Sequence, residues 1–369
     1  MNTNAAATAN MAAPSDPAAD STEVFSVKRY TPDHRQEWDA FIRNAKNTTF
    51  LFYRDYMDYH SNRFADHSLM VFRGEKLAAL LPANLNADGT LISHEGLTYG
   101  GLVVRLTATL WEVLACFHAA LLHLNQEKIS RLFYKQLPVF YNPVPGDEVT
   151  FALFLLDAQL YRRDCAMVVP QAGRLRFRKG RKSEFSKARR FGVRLAQETD
   201  FAPFWKRILV PRLAARYGIS PVHTVDEITL LASRFPEHIK QFLAYFDNEV
   251  VAGTTIYETP GVAHAQYLGV SDKGRKIGAL DYLFDWLIEV RYNDKRYFDF
   301  GICNESGGRG LNHGMVEWKE GFGARCYAHD FYEIATKNYP KLEPVLQDKL
   351  KHDLLIKHAQ TQKSKHVPY

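Results

Sequence analysis

No apolar run in this 369-residue chain approaches the ~18–20 residues that a membrane-crossing helix needs. The longest candidate, FALFLLDAQLY (151–161), is interrupted by Asp157 and reads as a buried helix. The N-terminus has neither the basic nor the apolar region of a secretion signal. Residues 1–23, rich in Ala, Thr, Asn and Pro, read instead as a disordered tail. Cysteine is scarce: Cys116, Cys165, Cys303 and Cys326 are scattered and form no CxxC pair. That argues for a reduced, cytoplasmic compartment. Without cysteine pairs or HExxH, and with His118 and His123 five apart on a helical pattern, no metal site is expected.

What is present suits a globular protein with two domains. Hydrophobic residues make up 46% and charged residues 24%, enough for a real core. Aromatics at 13% suggest packed sheets and ligand clefts. The net charge of +6 is concentrated: RLRFRKGRKSEFSKARR (174–190) carries nine Lys or Arg and one acid. The rest of the chain is therefore slightly acidic, and this segment is a local signal for an anionic partner, RNA or a membrane surface. Its alternative reading is a solvated linker helix.

The chain repeats itself. SLMVFRGEKLAALLPANL (68–85) and QFLAYFDNEVVAGTTIYE (241–258) each read as strand, two-residue turn, Glu and strand. The turns, Arg73-Gly74 and Asp247-Asn248, carry tight-hairpin chemistry. Each hairpin is followed by a strand containing a histidine, His94 or His264, then by a long helical pattern (107–126, 278–293) and further strands. The order β-α-α-β-β-β-α-β-α-β occurs twice. The expected division is a tail (1–23), a first domain (24–169), a basic linker helix (170–192), a second domain (193–335) and a C-terminal helix with a basic tail (336–369).

With KGRKIG (273–278) between the fourth strand and third helix of the second half, this order resembles the GNAT acyltransferase fold. The duplication and basic linker resemble its Fem-like double branch, which includes cell-wall transferases and exopolysaccharide-linked acetyltransferases. The resemblance covers about 24–335 and is strongest over 193–334. It implies an α/β (α+β) chain of two tandem GNAT-like domains, each a mixed, mainly antiparallel sheet flanked by helices. It also implies coenzyme A phosphates at the turn after the fourth strand, hence Lys273, Gly274, Arg275, Lys276, Gly278 and Ala279. Lys276 stands where the family has a glycine. In the first half, Gly100 and Gly101 lack any matching basic pattern, so that half is expected to be degenerate.

Acyl transfer to an amine requires positioning, a proton acceptor and stabilisation of the oxyanion. Alternation along VAHAQYLGV puts His264, Gln266 and Leu268 on one face. His264 is either a base or a satisfied core histidine. Asp299, inside the apolar strand RYFDFGI, must be paired or functional. Glu305 and Arg309 lie in the glycine-rich loop that follows. The candidate catalytic set is Glu305, Asp299, His264 and Tyr327, the last as an acid to the leaving thiolate. Gln266, Arg309, Asn312 and Lys319 are candidate substrate contacts, Lys319 because WKEGFG matches a lysine often seen in Fem-like sequences. Glu317 is a spare base. Cys303 lacks the cationic setting of a nucleophile.

The expected activity is acyl-CoA-dependent N-acylation of a small anionic amine, such as an amino sugar, amino acid or envelope precursor. The alternatives are a Fem-type transferase using aminoacyl-tRNA, without the long helical arm those enzymes often carry, and a non-catalytic module resting peripherally on a membrane.

Overall fold

The protein is described by a computed structural model over residues 24–364. The tail expected over 1–23 and the last five residues of the basic C-terminal tail lie outside the described residues. The first half runs β1 (Phe25–Arg29), α1 (Arg35–Arg43), α2 (Arg54–Met57), β2 (Leu69–Arg73) and β3 (Lys76–Leu81). Short strands β4 (Asn84–Leu85), β5 (Leu91–Ile92) and β6 (Val103–Val104) follow, then α3 (Leu110–Gln126), β7 (Arg131–Lys135), α4 (Glu148–Leu155) and β8 (Gln159–Pro170). The basic segment forms α5 (Lys179–Arg190) and ends at Gly192, whose φ is +74°.

The second half repeats the order: β9 (Arg194–Glu198), α6 (Ala202–Phe204), α7 (Val210–Tyr217), α8 (Val225–Arg234), β10 (Ile239–Phe246), β11 (Glu249–Glu258) and β12 (Val262–Val270). Then come α9 (Asp272–Lys276), α10 (Ala279–Trp286), β13 (Tyr297–Ile302), the short pair β14 (Asn304–Glu305) and β15 (Gly310–Leu311), α11 (His313–Glu320) and β16 (Arg325–Ala335). A last helix, α12, spans Glu343–Ser364.

Local chemistry accounts for the boundaries. Thr224 and Glu227 form a capping box at the start of α8. Asp247 and Asn248 both take positive φ, as a two-residue hairpin turn demands. In the first hairpin Arg73 pairs with Lys76, so the turn is Gly74-Glu75, one residue later than expected. FALFLLDAQLY is helical only to Leu155, because Asp157 breaks it and Gln159 already begins β8. His94 lies beyond the end of β5 with φ +71°, buried, rather than inside a strand.

The two halves exchange their last strands. The order β4-β5-β7-β16-β8-β13-β12-β11-β10-β9 forms one continuous ten-stranded sheet. β8, from the first half, pairs with β13, while β16, from the second, pairs with β7. The exchanged strands pair with each other, Tyr327 opposite Ala166 and His329 opposite Asp164. This register also sets Cys165 diagonally across from Cys326, and the structure joins them as a disulfide with Cα atoms 5.3 Å apart. The scattered cysteines thus include one pair brought together without any CxxC spacing. Their separation of 161 residues hides a relation that only strand exchange creates.

Three apolar clusters hold the assembly. α3 buries Leu114, Phe117 and Leu121 against Leu69, Val71 and Leu132 in the first half. α10 buries Leu283 and Phe284 against Phe298 and Phe300 in the second. The third cluster joins the halves: Phe50 packs on Phe235 with ring centroids 5.5 Å apart, and the hydroxyls of Tyr56 and Tyr257 are 3.2 Å apart. Each fully buried large side chain contributes about 1.5–3 kcal/mol.

Candidate active site

β12 and β13 run parallel and pair only from Val262–His264 and Tyr297–Asp299 before separating. β5 and β7 do the same in the first half, pairing only over Leu91–Ile92. A groove of about 800 Å³ opens across the face of the continuous sheet between these two splays. Its floor is built from residues of β7, β16, β8, β13 and β12, among them Lys135, His329, Asp164, Asp299 and His264.

His264 and Asp299 meet at the second splay. The Asp299 Oδ2 lies 2.8 Å from His264 Nδ1 and accepts from the Tyr141 hydroxyl at 3.1 Å. Its Oδ1 accepts from the Gly301 amide at 2.7 Å. Burial pushes this carboxyl up, but His264, the Gly301 amide and Lys319 outweigh it and hold it below the usual range. An ionised Asp299 fixes the proton of His264 on Nδ1 and leaves Nε2 facing the Gln266 side-chain amide at 3.1 Å. Either that amide presents its NH₂ to a neutral ring, or its oxygen accepts from an imidazolium. A bulge lies in the β11–β12 ladder: Tyr267 pairs with Thr255 and Ala265 with Ile256. Gln266 is the extra residue, and its backbone has no ladder partner.

Buried Lys319 and half-buried Lys135 brace the splays. Lys319 donates to the carbonyls of Gly301 and Ile302, both at 2.9 Å, and burial lowers its pKa. Lys135 donates to His94 O at 3.1 Å and Glu95 O at 3.3 Å, and also to Leu97 O; burial brings it down to about 8.

A second cavity of about 820 Å³ lies between β12, α5, α7, α10 and α11. Its charged lining is Arg181, Lys187, Arg212, Arg216, Arg275 and Lys276 against two acids, Glu184 and Asp281. Asp281 is neutralised by Arg181, and Glu184 lies 3.8 Å from Lys187. Its apolar wall includes Leu213, Leu280 and Trp318. Leu268 and Met315 line both cavities, so the basic pocket adjoins the groove there.

The candidates separate into three groups. His264, Asp299, Gln266 and Lys319 share the groove. Arg275, Lys276 and Asn312 line the basic pocket, Asn312 also capping α11 through Met315 N at 3.1 Å. The others lie elsewhere. Lys273 is exposed and bridges Asp247 and Glu249 at 3.2 and 3.1 Å. Gly274 is buried where a Cβ would sit 2.3 Å from the Val251 carbonyl, and at Gly278, with φ +74°, a Cβ would sit 2.4 Å from the Glu184 carbonyl. Both glycines therefore make room for the protein's own backbone. Ala279 is fully buried. Glu305 is exposed and accepts from Asn312 at 2.9 Å, and Arg309 is exposed in the same loop. Tyr327 packs against Phe140 and Tyr297 away from the groove lining. Cys303 is buried outside both cavities, and burial raises its pKa.

Several residues carried no readable signal. Tyr141 reaches Asp299 from 158 positions away. His329 and Asp164 enter through the exchanged strands. Arg212 and Arg216 form an i, i+4 pair on α7, the one trace the sequence offered. Arg181 and Lys187 belonged to the basic run already noticed, but their pocket did not show. Among the described residues, no group of three or more His, Cys, Asp or Glu is placed to hold a metal.

No protein-family model and no curated protein matches the chain. Among solved structures, that of FemX superposes with a TM-score of 0.60 at 11% identity, over 86% of this chain and 99% of that one. A conserved protein of unknown function from Bacteroides thetaiotaomicron VPI-5482 gives 0.50 at 10% identity, over 85% and 100%. A tandem GNAT protein from the clavulanic acid biosynthesis pathway gives 0.46 at 12%, over 85% and 99%. At such identities the likeness is one of fold. The chain shares the fold of FemX.

Proposed function

We propose that the protein transfers an acyl group from a phosphate-bearing carrier, an acyl-coenzyme A, to an amine. The observation that carries this reading is the junction at Leu268 and Met315, where a strongly basic pocket opens beside the His264–Asp299 pair. Six cations facing two paired acids suit a polyphosphate. Since Gly274 and Gly278 face protein backbone, the phosphates fall to side chains, Arg275 and Lys276 foremost. Lys276 is exposed with no ion pair among the described residues. The carrier's reactive end then reaches Leu268.

In this reaction the amine loses a proton to His264 Nε2, and its nitrogen bonds to the acyl carbon. The carbonyl oxygen takes negative charge, facing the bulged backbone of Gln266. The carbon–sulfur bond then breaks, and the leaving thiolate takes the proton back from the His264 imidazolium. Asp299 keeps His264 in the tautomer that accepts.

A second reading, aminoacyl transfer from RNA, is favoured by the outer face of α5. Lys179, Lys182, Arg189 and Arg190 are exposed there. Calorimetry separates the two. Acetyl-CoA or a longer acyl-CoA should bind wild-type protein, and Arg275→Glu/Lys276→Glu should weaken binding by at least about tenfold, or 1.4 kcal/mol. Folded protein that binds no acyl-CoA, but binds RNA through α5, refutes the coenzyme reading.

A further inference from the structure

We infer that the acceptor is a hydroxyl-bearing amine without anionic groups, and that His329 contacts it in the groove. This rests on the groove being the acceptor side of the proposed reaction. It departs from the anionic acceptor expected from the sequence.

The two cavities differ sharply in charge. The groove is lined by four cations, Arg131, Lys135, Arg162 and Lys319, and four acids, Asp88, Glu95, Asp164 and Asp299. The cations are already engaged. Lys135 and Lys319 donate to backbone carbonyls. Arg162 is bound to Asp164 through Nε at 3.0 Å and Nη2 at 2.6 Å, and Arg131 lies 3.5 Å from Glu333. An anion entering the groove would have to displace one of these hydrogen bonds or lie beside the groove's own carboxylates. Asp88 and Glu95, by contrast, have no cation within ion-pair distance among the described residues, and both suit an ammonium or hydroxyl. The basic pocket takes the phosphates of the donor, and the groove excludes them from the acceptor.

His329 supplies the contact point. It is 4% exposed, lines the groove, and its Nε2 has no hydrogen-bond partner. A buried polar atom left unpaired is destabilising, and a ligand hydroxyl would satisfy it. Burial holds the ring neutral, its pKa brought down to about 4 despite Asp164 and Asp299 nearby. A neutral imidazole exchanges hydrogen bonds with a hydroxyl or amine and offers an anion no charge. Phe133, Tyr161 and Phe331 provide apolar faces beside it.

The test is a binding titration of glucosamine and glucosamine 6-phosphate, followed through the histidine ring resonances of the whole protein. Wild type, His329→Ala and His329→Asn are compared, each with acyl-CoA binding measured in the same samples. The expected result is that glucosamine shifts the His329 resonance and binds at least about tenfold tighter than its phosphate. His329→Ala should lose that affinity with donor binding intact, and His329→Asn should restore part of it. The inference is overturned if the phosphate binds as tightly or tighter, if His329→Ala binds glucosamine like wild type, or if donor-loaded protein binds neither sugar. Absence of donor binding overturns the acyl-coenzyme A reading on which the inference rests. Donor binding with reversed sugar selectivity overturns the acceptor inference alone.

Discussion

Replacing Asp299 by Asn keeps the shape of the side chain and removes one acceptor oxygen. Three donors converge on that carboxylate: His264 Nδ1 at 2.8 Å, the Tyr141 hydroxyl at 3.1 Å and the Gly301 amide at 2.7 Å. Whichever way the new amide turns, its NH₂ faces at least one of these donors in a site that is 3% exposed. The buried conflict should cost about 1–3 kcal/mol of stability. Turned toward His264, it forces the ring into the other tautomer and removes the lone pair from Nε2. The loss of the base should lower kcat by ~10²–10⁴ at saturating amine. Tyr141→Phe removes one donor and leaves the tautomer alone, so it should cost about 0.5–1.5 kcal/mol with little change in kcat. Denaturant unfolding and acyl-transfer kinetics on the same preparations separate the two effects. Because the Asp299 pKa lies below its ordinary 3.8, its contribution is complete above that value and is lost as pH falls through the depressed one. The stability penalty should therefore persist at neutral pH and fade only in acid, below the ordinary carboxylate value. An Asp299→Asn protein that loses stability but keeps full kcat would show the carboxylate to be an interior anchor, and the assignment of His264 as base would fail.

Three further outcomes follow from the geometry. Lys273→Ala should leave acyl-CoA affinity within about twofold, because this lysine is held by Asp247 and Glu249, whereas Lys276→Ala should weaken it measurably by calorimetry. Gly278→Ala should lower stability in thermal unfolding by at least about 1–2 kcal/mol, from positive φ alone, with the Glu184 carbonyl adding to it. Lys135 has a folded pKa of about 8 against an ordinary 10.5, so the unfolded chain binds the extra proton between those values. Stability should gain from this group as pH rises from about 8 to 10.5, and urea titrations of Lys135→Met should lack that gain.

The repeated order of elements was legible because each half pairs a tight hairpin with a long apolar helix, and those signals are local. His264 and Asp299 were legible for the same reason: a polar residue within an apolar strand stands out. What the sequence could not show is whatever depends on the exchange of β8 and β16. Local patterns say that a strand exists and not which sheet receives it, so the Cys165–Cys326 link and the His329–Asp164 neighbours stayed hidden. The glycine-containing turn misled in an instructive way. Gly274 and Gly278 signalled close backbone approach, and the approaching backbone is that of Val251 and Glu184. Glu305 and Arg309 drew attention as polar residues in a glycine-rich loop, but β14 and β15 fold that loop outward.

Whether donor and acceptor meet at the junction of the two cavities is tested by a crystal structure of the protein with a non-hydrolysable acyl-CoA analogue. The phosphates should lie against Arg275 and Lys276, and the acyl carbonyl between Leu268 and Met315, facing the Gln266 backbone. Density for the analogue in the first-half wing of the groove, or against Lys273 outside the basic pocket, would contradict it.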